Sequence, residues 1–318
     1  MKEERGLRYF PIALFASVMG LSGVTYAFKQ YEEMYELNHI VSNAFLMLTM
    51  FAFLINGCIF LLRVIKYPQD VRTELNHPVK MNFFGAISIS FLMLGLLMYD
   101  LNESVSFVLW LIGALLQLLL TLLILTKLMW ETSFKLEQFS PVWFLPIVGN
   151  IVVPLAGEYH VSIEINWFFY SIGIIFSIIY FTLIMNRLFF KGSLPIMLRP
   201  TLFILLAPPS IGFMSYIKLS GQIDTFAYIL YGFAFYFGLL LIFQIKHFIR
   251  TPFFVSWWAM LFPTAAMTNA TFMMYSATES TYLKYFMHLQ VLGLLILSLY
   301  LLVKTLKLLL KKKLCVKN

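Results

Sequence analysis

RPTLFILLAPPSIGF, residues 199–213, decides the architecture of this chain. Pro200, Pro208 and Pro209 interrupt an apolar run long enough to be a membrane helix. Proline removes a helix hydrogen bond and clashes with the preceding turn. Bare backbone in lipid is very costly, so a broken helix survives where protein or a water-filled cavity surrounds it. Working outward, ten such apolar segments occupy residues 10–28, 40–62, 81–99, 105–127, 142–157, 165–186, 200–217, 226–246, 253–275 and 285–306. Seven of the 12 prolines lie inside them: Pro11, Pro146, Pro154, Pro200, Pro208, Pro209 and Pro263. All seven are in odd-numbered segments. Segment 3 carries Gly85 and Gly95 instead. The alternation predicts an all-α membrane protein: five kinked inner helices around one axis, jacketed by five regular outer helices.

Composition agrees on the class. The chain is 61% hydrophobic and 12% charged, with a mean hydropathy of +0.84. A span needs about 20 apolar residues, so ten spans use nearly all 318 residues as a single transmembrane domain, 1–318. Lysine and arginine gather on the cytoplasmic side of membrane proteins. With the N-terminus inside, that side takes 20 of the 23 basic residues, from Lys2, Arg5 and Arg8 to Lys317. The external loops keep only Lys29, Lys218 and Lys284, together with nine of the 15 acidic residues. An odd number of spans spoils this partition, so both termini are expected in the cytoplasm.

The net charge of +8 therefore records topology and not nucleic-acid binding. The run Lys311, Lys312, Lys313 suits anionic lipid headgroups. Cys58 falls in segment 2 and Cys315 in the tail, which indicates no disulfide. The basic start before an apolar run reads as a retained first helix, since no clear cleavage site follows it.

Every odd segment then runs outward and every even one returns, giving five parallel-repeated hairpins. Pro208 and Pro209 come eight or nine residues into segment 7, Pro263 ten into segment 9 and Gly20 ten into segment 1. At 1.5 Å per residue that is about 12–15 Å deep, near the middle of a bilayer about 30 Å thick. Pro146, Gly149 and Pro154 bracket the same depth in segment 5, and Gly212 adds a small residue to segment 7.

No Asp, Glu, Lys or Arg lies mid-span, where proton-coupled carriers usually place them. His39, His77, His160 and His247 are loop or edge residues, and His288 opens segment 10. Neither clustered metal ligands nor a catalytic motif is present, so no cofactor and no enzymatic activity are expected. The inner segments offer Ser17, Ser22, Thr25, Ser88, Ser90, Asn150, Ser210, Ser256, Thr264, Thr268 and Asn269. Hydroxyls and amides serve a partly dehydrated ion of either sign, and the absence of carboxylates tilts the balance towards anions. A lone hydroxyl more often bonds back to its own helix.

The strings FPIALFASVMGLSG (10–23), HPVKMNFFGAISISFLML (77–94), SPVWFLPIVGNIVVPLAG (140–157), LRPTLFILLAPPSIGFMSY (198–216) and FFVSWWAMLFPTAAM (253–267) resemble, in order, the inner-helix motifs of one family. It is the tellurite-resistance/dicarboxylate transporter family, whose plant branch comprises the slow-type anion channels of guard cells. The resemblance implies a homotrimer in the bilayer, each protomer with its own pore for small inorganic anions (chloride, nitrate) or organic anions. It further implies a passive channel plugged at mid-membrane by a phenylalanine of the ninth helix, here Phe262, immediately before Pro263. Other members are thought to carry sulfite, tellurite or C4-dicarboxylates. Two departures stand out. Ala13 and Ala16 are the candidates where relatives place glycine beneath the gate ring, and Gly85 stands where many have proline.

Overall fold

The computed structural model describes residues 6–316, so Lys2, Arg5 and Lys317 lie outside the described residues. Its helices are α1 (Phe15–Met34), α2 (Ile40–Lys66), α3 (Pro68–Leu75), α4 (Gly85–Met98), α5 (Glu103–Trp130), α6 (Leu145–Gly157), α7 (Ile163–Phe190), α8 (Ala207–Ser220), α9 (Thr225–Phe243), α10 (Ile245–Ile249), α11 (Leu261–Thr278) and α12 (Thr281–Leu310). There is no strand among the described residues. Among the described residues eight helices are long and apolar enough to cross a membrane, and Pro141–Gly157 is a shorter apolar one.

Five helices are interior: α1, α4, α6, α8 and α11. They pack in the cyclic order α1–α4–α6–α8–α11 and back to α1, closing a ring. Each of α2, α5, α7, α9 and α12 lies against the inner helix that precedes it. In the apolar windows of the segments led by α1, α4 and α8, 72–89% of residues are buried; in the five outer helices only 17–33% are. The odd–even alternation of the prolines thus corresponds to inside and outside.

The prolines work differently from the expected mid-helix kinks. Every inner helix opens with a 3₁₀ lead-in (Ile12–Leu14, Lys80–Phe84, Pro141–Phe144, Ile196–Leu206 and Val255–Met260) and then relaxes into α geometry. Pro146, Pro208, Pro209 and Pro263 occupy the first turn of the α portion. First-turn N–H groups have no intrahelical acceptor, so proline sacrifices nothing there and its fixed φ starts the turn. Pro154 and Pro200 are the ones inside helices. Gly20 breaks nothing: α1 runs through it. Segment 226–246 also ends early, at Phe243, with α10 as a separate turn.

Local polar groups set the helix ends. The buried Glu32 carboxylate accepts from Val41 N (2.8 Å) and Ser42 N (3.1 Å) and so caps α2 from the end of α1. Asn102 and Asp224 cap α5 and α9. On the opposite face, buried Arg63 donates to the carbonyls of Arg8 and Phe10 (both 2.9 Å) and pairs with Glu74 at 2.7 Å. Gly6 N donates to Cys315 O at 3.1 Å, which puts the two ends of the described chain on one face.

Candidate pore and gate

Phe262 is the second residue of α11, only 3% exposed. Its ring lies over Gly23: a Cβ on Gly23 would stand 3.4 Å from Phe262 Cδ2 and 2.9 Å from Ala265 Cβ. One turn earlier, a Cβ on Gly20 would stand 2.8 Å from Leu261 Cβ. Two glycines of α1 therefore let α11 approach and give the ring its seat. Ala13 and Ala16, expected beneath the gate, are half-buried and buried in the first part of segment 1. The observed seat is seven residues, about two turns, beyond Ala16.

The other expected residues divide by direction. Gly85 faces the backbone of α6, where an added Cβ would come within 2.8 Å of Leu145 C. Gly149 faces the Gln117 amide of α5, and Gly212 faces Ile174 of α7 and Leu230 of α9. Asn150 turns outward too: its Nδ2 donates to Thr121 Oγ1 of α5 at 2.8 Å and to the carbonyls of Pro146 and Ile147. Gln117 Nε2 donates to the same Pro146 carbonyl at 2.6 Å, and Ser88 Oγ donates to Gln117 Oε1 at 2.5 Å. Asn150 and Gly149 are thus parts of the seam between ring and jacket.

Most of the expected hydroxyls are spent on backbone. Ser17, Ser22, Thr25, Ser90, Ser210, Thr264 and Thr268 donate to carbonyls three or four residues earlier, and Ser256 donates to Met197 O. Asn269 Nδ2 reaches across to Gly23 O at 3.3 Å, and Gln30 Nε2 donates to Asn269 Oδ1 at 2.7 Å.

One feature beyond the Phe262–Gly23 contact is absent from the sequence expectations. Lys29 of α1 pairs with Asp100 after α4, and Lys218 of α8 pairs with Glu158 after α6. Lys218 Nζ also donates to Tyr159 Oη at 3.3 Å and lies 5.0 Å from that ring's centre, while Tyr159 stacks on Tyr99 at 4.0 Å. Burial, reinforced by the Glu158 carboxylate, pushes the Tyr159 phenol up and keeps it protonated. The far ends of four ring helices thus carry a collar of paired charges. Its signal was available: each of the four charged residues immediately follows the last residue of segment 1, 3, 5 or 7.

A closed ring of buried helices inside an apolar jacket defines a multi-helix membrane protein of the channel or carrier type. Residues 9–306 match the SLAC1 family, described as voltage-dependent anion channel, and the chain belongs to that family. It is similar to an uncharacterized transporter of Methanocaldococcus jannaschii, 25% identical, covering 85% of this chain and 86% of the relative. It is also similar to the S-type anion channel SLAH3 of Arabidopsis thaliana, 29% identical, over 86% of this chain and 44% of that one. A tellurite resistance protein TehA homolog of Haemophilus influenzae is 25% identical, over 82% and 80%.

Proposed function

We propose that this protein is a passive, anion-selective channel of the cell's inner (plasma) membrane, closed at rest by Phe262. The observation that carries the reading is the Phe262 ring seated on Gly23, at the seam of a helix ring with no formal charge mid-span. An apolar constriction excludes ions by refusing to wet, so closure needs no ligand. Displacing one packed Phe side chain costs about 2 kcal/mol, within reach of a modest conformational shift. In this reading residues 1–318 form one channel domain with ten spans in five parallel-repeated hairpins, both termini cytoplasmic. It assembles as a homotrimer in the bilayer, passes chloride, nitrate or small organic anions, and has no catalytic role. The names of its plant relatives support the channel assignment.

The transport and tellurite-resistance names among its relatives favour a second reading, a secondary carrier of sulfite, tellurite or C4-dicarboxylates. Planar-bilayer recording separates the two. A channel gives discrete openings whose reversal potential follows the chloride or nitrate gradient. Saturable, electroneutral uptake with no unitary currents overturns the channel reading.

A further inference from the structure

The interior of the ring can be located from what α1 touches. Gly20 and Gly23 face α11. Ser17, Thr25 and Phe28 face α2, through Asn56 at 3.4 Å, Thr49 at 3.2 Å and the Phe45 ring at 5.3 Å. At 100° per residue, Met19, Tyr26 and Gln30 fall on a third stripe, the one directed at the ring's axis. Tyr26 and Gln30 keep accessible surface although most of α1 is buried. Opposite the stripe that faces α2, Tyr26 is directed into the ring.

The donors on this stripe are not used up. The Tyr26 hydroxyl has no hydrogen-bond partner among the described residues. Gln30 Nε2 spends one hydrogen on Asn269 Oδ1, and Asn269 Nδ2 spends one on Gly23 O. Each amide nitrogen carries two hydrogens, so each keeps one. Three neutral donors therefore converge on the lumen, one and two turns beyond the Gly23–Phe262 contact. Above them the collar lysines are already neutralised by Asp100 and Glu158.

Building on the channel reading, we propose that Tyr26, Gln30 and Asn269 form an anion site on the collar side of the Phe262 plug, where a monovalent anion exchanges part of its water for the phenol and the two spare amide hydrogens. The site holds the anion by hydrogen bonds alone, so it binds weakly enough to release its occupant. Because the charges above it are paired, it takes single anions and gives multivalent oxyanions no extra hold.

Two measurements test it. Tyr26→Cys, with Phe262 intact, is exposed in vesicles to an external anionic methanethiosulfonate and weighed by intact-protein mass spectrometry. The unsubstituted protein, with Cys58 and Cys315, serves as baseline. The site predicts one added adduct, formed more slowly in chloride than in gluconate; no adduct, or a rate indifferent to chloride, overturns it. Tyr26→Phe on a Phe262→Ala background is then compared by bi-ionic reversal potentials. Loss of one donor should shift the chloride-to-nitrate permeability ratio by at least about twofold, and an unchanged ratio overturns the site. If Phe262→Ala alone carries no current, the gate reading fails, and the labelling result still decides the anion site.

Discussion

The ring and the jacket invert the rule of soluble proteins. The most apolar helices, α2, α5, α7, α9 and α12, are the exposed ones, and the buried ring is the less apolar part. Lipid tails are as apolar as leucine, so hydrophobicity gives no reason to be inside; small residues that allow close approach and satisfied polar groups do. The seams show this directly. Glycines bring α1 to α11 and α4 to α6, while Gln117, Thr121, Ser88 and Asn150 tie α4 and α6 to α5.

The sharpest way to break the comparison is to make the same substitution in both regions. Phe262→Ala should raise anion conductance about tenfold or more, the effect of removing a barrier of about 2 kcal/mol. Phe51→Ala, on the lipid-facing side of α2 and 63% exposed, should leave currents unchanged. Equal responses in patch or bilayer recordings contradict an interior gate.

Glycines give the next largest contrast. Gly85→Ala drives a Cβ into α6 backbone and should cost about 1–3 kcal/mol by overpacking. Gly57→Ala in α2 and Gly293→Ala in α12 meet nothing within 4 Å. They should be neutral or stabilise by up to about 1 kcal/mol, as helical Gly→Ala usually does. Thermal unfolding in one detergent ranks the three. A smaller effect is expected for Gln117→Leu, about 1 kcal/mol, because Ser88 still reaches Gly85 O and Pro146 O keeps Thr121.

The smallest effect concerns pH. Burial holds the His160 imidazole below its usual 6.5, neutral and paired with Ser106 Oγ at 2.8 Å. The unfolded chain takes up that proton near pH 6.5, before the folded one does. Stability is therefore complete above that pH and declines as pH falls through the folded value. His160→Gln should flatten this part of the melting-temperature profile, and an unaltered slope would assign it to another group.

Much of the ring was readable from residue order, because proline and small residues are tolerated in membrane helices where neighbours re-satisfy the backbone. The 3₁₀ lead-ins were not readable. Their steeper rise, about 2.0 Å per residue, makes depths counted at α rise too short for the lead-in portions. The facing of Gly149, Asn150 and Gly212 was also hidden, since a ring helix is buried on its inward and outward sides alike and its sequence carries no strong amphipathic stripe. Phe262 was named through resemblance, and Gly23 could be recognised as its seat only once α1 and α11 were side by side.

That adjacency has a consequence for biogenesis. The wall is completed by contact between its first and last interior helices, which are separated by most of the polypeptide. Helices enter a bilayer in the order of synthesis, so the Gly20–Gly23 face of α1 waits for α11. Phe262 belongs to the stave that finishes the cask. In the proposed channel, a nascent chain therefore never encloses an unplugged conduit.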